Sequence, residues 1–588
     1  MSGRPRAGRH DRRRAIALLV DAARPDRRQV ALAALLLMVA GLLEAAGPIF
    51  GKELIDRYLL PRHADLVAMG LLIAGVLVSG WVSSIIRYFQ LKRLAGLSTR
   101  SVQRLRERVY AHALGLPMSF FDRAITGQLV SRITNDTEAV KELYLKVLFE
   151  VLVGLTVLAG VTIAMLWLDW RLMLIVMLLV PATVGIVLGY ERLSAGAVAR
   201  ARELRSEINA QMAESIAGMA VLQAAGAAQR YGERFARTND AHYRARLGEV
   251  RANAWLLRPA LDFVNVLLIV ALVAAIGTDT LQGVEVGLLY AFIAYVARVV
   301  EPLIQIALQF SMLQQSIIAA SRVDALLNEP SPAQPVDARR IGAGHVEIAE
   351  VSFGYDPERP VLHDVSLDIP AGNFVGIVGP TGSGKSTLLS LLLRFYTPQS
   401  GRIDIDGMPI GGIDAGHFRD AVGLVPQEPF LLAASVRENI DMGRGIAFDR
   451  IEAAARAARA HDFVAQLPQG YDTELGEGGA RLSSGQKQLV AIARALAGRP
   501  RVLLLDEATS RIDSETEQAV RAAVAEVARD TTVIAIAHRL STIRAADRIV
   551  VLLHGRIAES GTHDQLMAID GGIYRRLYEL QQIAADAP

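Results

Sequence analysis

The stretch GPTGSGKST, residues 379–387, follows the apolar run NFVGIV and leads into the helical pattern TLLSLLLRFY. It fits the pattern G-x-x-x-x-G-K-[ST], in which glycines let backbone N–H groups surround the phosphates of a nucleotide. Lys385 is placed to reach the β- and γ-phosphate oxygens, and Ser386 is placed to offer its hydroxyl to Mg²⁺. The stretch therefore predicts an α/β domain that binds a nucleotide where a buried strand turns into a helix. The residues expected to contact that nucleotide are Gly379, Pro380, Thr381, Gly382, Ser383, Gly384, Lys385, Ser386 and Thr387.

Two further apolar strands end in residues suited to the same chemistry. VLLLDEATS (502–510) contains Asp506, which suits the Mg²⁺ shell, and Glu507, which can orient or deprotonate an attacking water. IAIAHRLST (534–542) places His538 at a strand end. Two acids at a strand end are also typical of a solvated turn, and a lone histidine is more often structural than catalytic. Because α/β sheets bind ligands at the carboxyl ends of their strands, the shared position favours contact with the nucleotide.

A hydroxyl-rich tetrad stands well downstream of the phosphate loop. ARLSSGQKQ (480–488) holds Ser483, Ser484, Gly485 and Gln486 in front of a helical pattern. Small residues before a helix leave backbone N–H groups for an anion, and the helix dipole adds to the attraction. The alternative is an ordinary helix N-cap, since serine is common there. The tetrad by itself does not decide between the two.

Composition indicates a membrane protein with more than one domain. The 588 residues are 52% hydrophobic and only 21% charged, which is more apolar than is usual for a soluble protein. The chain contains no cysteine, which excludes disulfides, thiolate metal sites and a cysteine nucleophile. The net charge of +3 is too small to indicate a nucleic-acid partner.

Six apolar stretches in the first half approach the roughly 20 residues that a helix needs to cross a bilayer. They cover residues 30–50, 66–88, 147–167, 171–190, 259–277 and 286–307. A cleavable signal peptide fits poorly, because the first stretch exceeds the usual apolar length of about 7 to 15 residues. We therefore expect six transmembrane helices.

Positive charge is concentrated in two long loops, 89–145 and 191–258, whereas the short connection at 168–171 carries little. The positive-inside rule therefore places both long loops and both termini in the cytoplasm. The loops have helical periodicity, so we expect the spans to continue as helices beyond the bilayer. Turn-like segments interrupt them at 120–129 and 214–231, as contacts for a cytoplasmic partner or as plain helix connections.

The composition changes to Pro, Gly and Ala over 328–344, which is typical of a linker. We expect a transmembrane domain over 1–327 and a nucleotide-binding α/β domain over 345–588. The second domain begins with the strand-like HVEIAEVSFGY and includes the buried-strand runs FVGIVG, RVLLLD and TVIAIA.

The order of phosphate loop, serine-glycine tetrad, acid pair and histidine resembles the ATP-binding cassette (ABC) family, over essentially the whole chain. LSSGQ (482–486) is similar to the family's signature L-S-G-G-Q, with Ser484 where the first glycine usually stands. Gln427 in LVPQEPF matches the Q-loop of the family, and Tyr355 in SFGY matches its adenine-stacking aromatic residue.

Two further segments carry the same resemblance. TELGEGG (473–479) looks like the export-type loop that precedes the signature. SRIDSET (510–516) looks like the D-loop and contains Asp513, with Arg511 and Ile512 where alanine and leucine are commoner.

Six spans followed by one cassette resemble an export-type half-transporter. The phrases LVSRITNDTEAVKELY, YAFIAYVARVVEPLIQ and IAHRLSTI are most similar to the multidrug exporter-like MdlB branch. The resemblance implies ATP-driven export of hydrophobic or amphipathic compounds, drug-like or lipidic, across a bacterial cytoplasmic membrane. It also implies a dimer, with either an identical chain or an MdlA-like partner.

The resemblance further assigns roles to residues. Two cassettes would meet head to tail, so that the signature residues Ser483, Ser484, Gly485 and Gln486 act on the partner's nucleotide. This chain's own ATP and Mg²⁺ would be served by Tyr355, Lys385, Ser386, Gln427, Asp506, Glu507 and His538. Of these, Glu507, His538 and Gln427 would be catalytic, and Ser386, Gln427 and Asp506 would form the Mg²⁺ shell.

Two other functions on the same scaffold stay open: an importer of siderophore-like cargo and an ATP-gated regulator. An extra N-terminal domain would favour the first and a long regulatory segment the second, and neither is expected from this sequence. Polar residues within the spans are candidates for cargo contact, because charges at membrane depth are rare and often functional. They are Glu44, Asp262, Arg298, Glu301, Gln305 and Gln309. Arg298 and Glu301 are three residues apart and could instead pair on one helix.

Overall fold

The computed structural model divides the chain into two compact units. One contains Met1–Gly115 and Ile125–Pro330, and the other contains Leu116–Ala124 and Ser331–Pro588. The structure describes residues 14, 17, 21, 24–63, 65–279, 286–331, 339–356, 358–506, 514–537 and 540–586.

Helices are the regular elements of the described part of the N-terminal half. They are α1 (Arg27–Leu54), α2 (Leu66–Leu114), α3 (Met118–Phe121), α4 (Thr126–Ser131), α5 (Thr137–Glu142), α6 (Phe149–Leu168), α7 (Trp170–Met177), α8 (Leu179–Ala217), α9 (Met219–Ala224), α10 (Ala228–Ala252), α11 (Arg258–Asp279) and α12 (Val286–Leu327). Short π-helical segments continue several of them, at Ile55–Leu59, Arg132–Asp136, Leu143–Leu148 and Asn253–Leu257. Of these helices only α3 lies in the second unit.

Among the described residues, six helical stretches are long and apolar enough to cross a membrane. They are Arg24–Leu59, Leu66–Leu114, Phe149–Leu168, Trp170–Ala217, Ala228–Ala275 and Val286–Ile306. The expected six transmembrane helices are therefore confirmed. Helices α2 and α8, of 49 and 39 residues, are far longer than the about 20 residues that a bilayer requires. They form the long extensions that the periodicity predicts.

Aspartate residues cap the N-termini of two of these membrane helices. Asp65 is the N-cap of α2 and accepts hydrogen bonds from the N–H groups of Val67 and Ala68. Asp169 caps α7 in the same way, through the N–H groups of Arg171 and Leu172. Each carboxylate satisfies N–H groups that lack a partner within the helix and complements the positive end of the helix dipole. The short connection LDWR is therefore a break between helices rather than a loop of its own.

Glycine allows the first and third spans, α1 and α6, to pack closely. A Cβ atom on Gly41 would lie 2.9 Å from the carbonyl oxygen of Thr156, and one on Gly160 would lie 3.0 Å from the carbonyl oxygen of Gly41. Small residues at such crossings let membrane helices gain van der Waals contact along their backbones. The core beside this crossing contains the fully buried side chains of Phe292 and Tyr295 from α12.

Two sheets form the second unit. The strands are β1 (Val346–Phe353), β2 (Leu362–Ile369), β3 (Phe374–Val378), β4 (Ser400–Ile405), β5 (Met408–Pro409), β6 (Val422–Val425), β7 (Val502–Asp506), β8 (Thr532–Ile536), β9 (Arg548–Leu553) and β10 (Arg556–Gly561). The antiparallel sheet has the order β2-β1-β4-β5, and the mainly parallel sheet has the order β10-β9-β3-β8-β7-β6. All five residues of β3 and of β8 are buried, as expected for central strands of a parallel sheet covered on both faces.

Two hydrophobic cores lie against the parallel sheet, one formed mainly with helices and the other mainly with the antiparallel sheet. The helices are α13 (Lys385–Leu392), α14 (Ala415–Ala421), α15 (Val436–Asp441), α16 (Phe448–Ala457), α17 (His461–Ala465), α18 (Ser484–Ala497), α19 (Ser514–Val527), α20 (Leu540–Ile543), α21 (His563–Met567) and α22 (Ile573–Asp586). The predicted fold class, an all-α membrane region followed by an α/β nucleotide-binding domain, is confirmed.

Candidate nucleotide-binding site

The phosphate loop connects β3 to α13. It contains three glycines with positive φ: Gly379 at 152°, Gly382 at 81° and Gly384 at 103°. A Cβ atom on Gly379 would lie only 2.1 Å from the carbonyl oxygen of Leu552. Glycine is required at this position because both the backbone angle and the neighbouring strand exclude a side chain. The loop can therefore wind tightly and turn its N–H groups toward an anion.

Lys385 is the first residue of α13, and its side chain is buried. Its ammonium donates hydrogen bonds to the carbonyl oxygens of Gly379 at 2.9 Å and Pro380 at 3.1 Å. Burial lowers the pKa of Lys385, and the carboxylate of Asp506 acts in the opposite direction. Burial likewise raises the pKa of Asp506, and the Lys385 ammonium opposes that rise. The two groups thus share one poorly solvated site and stabilise each other's charge.

The surroundings of the loop fit the phosphates of a nucleotide. The hydroxyl of Ser383 is buried and has no hydrogen-bond partner within the part of the chain that the structure describes. A buried hydroxyl in that condition is costly unless a ligand supplies its partner. Together with the Lys385 ammonium and the start of α13, it forms a donor set for an anion.

The residues near the loop also fit Mg²⁺. Ser386 offers an exposed hydroxyl and Asp506 a half-buried carboxylate. Within the described residues there is no cluster of three or more histidine, cysteine, aspartate or glutamate side chains that could hold a metal. Mg²⁺ in nucleotide sites needs no such cluster, because it binds one or two protein ligands together with phosphate oxygens and waters.

Strand register brings the predicted residues to one edge of the parallel sheet. Ile377 in β3 is paired with Ile536 in β8, and Ile536 is paired with Asp506 in β7. On the far side of β7, Leu505 is paired with Val425 in β6. Because these four strands are parallel, their carboxyl ends lie side by side. The phosphate loop, Asp506 and the exposed Gln427 follow those ends. Glu507, Asp513 and His538 lie outside the described residues.

Ser483 is the N-cap of α18 and forms a capping box with Gln486. The hydroxyl of Ser483 accepts from the Gln486 N–H at 3.2 Å, and the Gln486 side-chain oxygen accepts from the Ser483 N–H at 3.0 Å. Ser483 and Ser484 are exposed, whereas Gly485 is buried. The N-cap alternative is therefore present in the structure, and it leaves the positive end of a 14-residue helix at the protein surface.

Tyr355 follows β1, and the residue is 55% exposed. It contacts Phe353 and Tyr396 edge to face, with ring centroids 5.4 and 5.1 Å away. A ring held on its sides and open to solvent is suited to stacking on a base. The sequence interpretation did not identify Tyr396, because no local motif marks it.

Polar residues of the membrane unit are connected between helices. Arg87 of α2 forms an ion pair with Glu44 of α1. Arg298 of α12 donates to the backbone carbonyl of Glu44. The proposed Arg298–Glu301 pair is not the arrangement found, because Glu301 instead accepts from Gln305 at 2.8 Å.

The remaining polar candidates in the membrane unit differ in their surroundings. Gln309 donates to the carboxylate of Glu150, whereas Asp262 is exposed. Arg87 and Glu150, which the sequence interpretation missed, are partners of the predicted polar residues Glu44 and Gln309. Burial costs at membrane depth explain why such partners are needed.

Comparisons with known proteins agree with this geometry. The family model described as "ABC transporter transmembrane region" matches residues 30–303, and the model "ABC transporter" matches residues 362–510. The putative ABC transporter ATP-binding protein exp8 of Streptococcus pneumoniae is 36% identical over 93% of this chain and 93% of its own length. The multidrug resistance-like ATP-binding protein MdlB of Buchnera aphidicola from Acyrthosiphon pisum is 35% identical over 95% of this chain and 96% of its own. The solved structure of a bacterial Atm1-family ABC exporter with ATP bound is 32% identical, has a TM-score of 0.79, and matches 94% of this chain and 98% of its own.

Proposed function

The chain belongs to the ABC transporter family as an export-type half-transporter, and from this premise we propose that it exports hydrophobic or amphipathic compounds as one half of a dimer. It is an ATP-hydrolysing, multi-pass membrane transporter. The name of the MdlB relative, multidrug resistance-like, supports drug-like cargo, and the apolar spans are compatible with lipidic cargo. The domains would be 1–327 for membrane passage, 328–344 as linker and 345–588 for ATP binding.

One observation carries the proposal more than any other. The carboxyl ends of β3, β8, β7 and β6 share one edge, in a chain that also carries six membrane-crossing helices. The proposed nucleotide site and the membrane-crossing helices therefore belong to one polypeptide chain. A nucleotide site without such helices would support only a soluble ATPase.

ATP would bind with its phosphates in the loop 379–387 and its base on Tyr355. Lys385 would neutralise phosphate charge, while Ser386, Asp506 and Gln427 would hold Mg²⁺, which supplies further neutralisation of the phosphates when bound. Glu507 would orient or deprotonate the attacking water, and His538 would contact the γ-phosphate. Burial of Lys385 and Asp506 strengthens their electrostatic effects, because both lie in a poorly solvated site.

The signature would serve a second cassette. Ser483, Ser484, Gly485 and Gln486 stand at the N-terminal end of α18, and another polypeptide can reach the exposed Ser483 and Ser484. The partner would be an identical chain or an MdlA-like half-transporter, and Asp513 would belong to the D-loop that the resemblance implies. ATP would favour the closed arrangement of the cassettes, and hydrolysis would release it, which drives alternating access by population shift. The location would be the bacterial cytoplasmic membrane, with both termini in the cytoplasm.

The test is ATP-dependent uptake of a panel of amphipathic dyes and lipids into inside-out vesicles that contain the full chain. We expect uptake with ATP that is lost in Glu507→Gln, while nucleotide binding is retained. Glu526→Gln is the matched control, because it makes the same chemical change on an exposed side chain of α19. ATPase activity with no uptake of any compound would contradict export. Native mass spectrometry of the active chain expressed alone would distinguish an identical partner from an obligatory second gene product.

A further inference from the structure

Gln427, which is expected to contact Mg²⁺ together with Asp506, stands in an exposed connection. It follows the end of β6 by two residues, and the next helix, α15, begins at Val436. Gln427, Glu428 and Phe430 are all exposed. A side chain on an exposed connection has a fixed position only if the backbone on either side of it is held. The residues that hold this backbone therefore determine where the Gln427 amide stands.

Helix α18 holds the backbone on both sides of Gln427. The side-chain amide of Gln488 donates to the carbonyl oxygen of Pro426, directly before Gln427, at 3.4 Å. The guanidinium of Arg494 donates to the carbonyl oxygen of Phe430, three residues after it, at 2.9 Å. The two donors stand on one helix, about 9 Å apart along its axis. A rigid element thus fixes both ends of this short stretch.

Asn439 of α15 extends the contact between Arg494 and the same segment. It is fully buried, accepts from the N–H of Leu432 at 2.8 Å and donates to the carbonyl oxygen of Leu432 at 3.1 Å. Arg494 in turn donates to the backbone carbonyl of Asn439 at 2.8 Å and to its side-chain oxygen at 3.0 Å. The Nε, Nη1 and Nη2 atoms of Arg494 therefore each donate to a different oxygen. Lysine cannot reproduce this arrangement, because it lacks the planar fork of donors.

Apolar packing anchors the segment independently of these hydrogen bonds. Leu431 is fully buried in a core that also contains Leu489 and Val490 of α18. Loss of the polar contact at Phe430 should therefore leave the domain folded, while the carbonyl of Phe430 loses its fixed position. Folding and positioning can thus be separated by experiment.

We propose that Arg494 is a positioning residue for Mg²⁺-dependent nucleotide binding, because it sets the place of Gln427 through the backbone of Phe430. The inference rests on the proposed function, in which Gln427 and Asp506 hold Mg²⁺. Gln427 follows β6 and Asp506 ends β7, and these two strands are neighbours. Mg²⁺ requires near-ideal octahedral geometry, so a small displacement of one ligand weakens its binding. Residues behind a ligand commonly set its position, and Arg494 acts in this way through the segment that carries Gln427.

The experiment compares nucleotide affinity with and without Mg²⁺, in the full chain in lipid nanodiscs. A slowly hydrolysed fluorescent ATP analogue is titrated in excess Mg²⁺ and in EDTA, and the ratio of the two dissociation constants gives the Mg²⁺-dependent gain in affinity. In Arg494→Lys we expect the affinity in EDTA to stay within about twofold of the wild type, since the loop 379–387 is unchanged. We expect the gain to fall at least about threefold, because one ammonium cannot bond Phe430 and both oxygens of Asn439 at once. A loss of equal size in EDTA and in Mg²⁺ leaves the gain unchanged and would overturn the proposal in favour of a purely structural role.

Arg450→Lys is the matched control. Arg450 donates at 2.8 Å to the carbonyl oxygen of Ala497, at the other end of α18, so the variant makes the same chemical change against the same helix. It should leave both affinities within about twofold of the wild type.

Gln488→Met is a second test, which does not depend on how well Arg494→Lys folds. It removes the donor to Pro426, and the unbranched methionine fills the space of the buried glutamine. We expect the gain to fall by about twofold, less than in Arg494→Lys, because a hydrogen bond of 3.4 Å is long. Thermal unfolding checks that each variant is folded.

Gln427→Ala separates this inference from the proposed function on which it rests. It should lose at least as much of the gain as Arg494→Lys does. A full gain in Gln427→Ala would refute the Mg²⁺ role of Gln427, and this inference with it. A loss in Gln427→Ala with an unchanged gain in both Arg494→Lys and Gln488→Met would refute only the positioning role, as would an equal loss in Arg450→Lys. Export is measured separately by uptake into vesicles, and no outcome of the binding titration depends on it.

Discussion

Replacing Lys385 with methionine tests the phosphate site most directly. Methionine keeps most of the buried apolar stem but removes the ammonium and its two hydrogen bonds, to Gly379 and Pro380. On the proposed assignment these donors turn to phosphate oxygens when ATP binds, and a hydrogen bond to a charged group contributes about 1.5–3 kcal/mol. Loss of two such bonds corresponds to about 3–6 kcal/mol, or about a 10²- to 10⁴-fold loss of affinity.

The same substitution leaves the Asp506 carboxylate buried without its opposing charge. Burial already raises the pKa of Asp506, and Lys385 limits that rise, so the pKa rises further in Lys385→Met. A raised pKa in the folded state means that protonation relieves the cost of burial. The variant should therefore be less stable than the wild type at pH 8, and the difference should shrink as the pH falls toward 5.

The assays are equilibrium binding of a fluorescent ATP analogue and thermal unfolding at several pH values. Lys487→Met is the control for both, because it removes a half-exposed lysine of the same domain and should leave binding within about twofold. An affinity loss below about threefold in Lys385→Met would refute the assignment of Lys385 to the phosphates. A stability difference that grows on acidification would refute the electrostatic account of Asp506.

Three further outcomes follow from other parts of the structure. Burial raises the pKa of Asp406, but hydrogen bonds from the four backbone N–H groups of residues 342–345 outweigh this effect and hold the pKa below its usual value. Asp406→Asn should therefore lower thermal stability at pH 7 and matter progressively less as the pH falls through the folded-state pKa; a constant difference would contradict this. Gly160→Val should destabilise the membrane unit by about 1–3 kcal/mol in detergent unfolding, because its Cβ would lie 3.0 Å from the Gly41 carbonyl oxygen. Gly185→Val is its control, since nothing lies within 4 Å of that Cβ, and equal effects would argue against the close crossing. Ser484→Gly should raise the ATPase rate of the assembled dimer about threefold, which corresponds to an activation free energy lower by about 0.7 kcal/mol. An unchanged rate would mean that serine is tolerated at this signature position.

Local patterns in the sequence predicted much of the architecture. The phosphate loop was recognisable because its glycines, Lys385 and Ser386 are adjacent in the chain and are flanked by a strand and a helix. The six spans were recognisable because a bilayer imposes a minimum apolar length on any crossing helix. Interpretation of ARLSSGQKQ remained divided, since the same residues form a capping box and an anion-binding helix end.

Those local patterns did not predict hydrogen bonds or ion pairs between residues that are distant in the sequence. The sequence allowed a pair between Arg298 and Glu301, but the fold brings the Glu44 carbonyl to Arg298 and Gln305 to Glu301. Likewise, nothing near Glu44 in the sequence marks Arg87 as its partner. Such choices depend on which helix faces pack together, and helical periodicity identifies an apolar face without identifying its neighbour.

The sequence by itself determined the chemistry of this protein: a nucleotide loop, a signature, and a membrane region in front of them. These features are encoded in short runs whose residues act through the adjacent backbone. Tertiary structure alone decided which strand ends share an edge, and it alone joined Tyr396 to Asp122 across 274 residues. The physical reason is that burial of apolar surface from segments distant in the sequence sets strand order, register and the packing of turns. No single segment of the sequence contains that information.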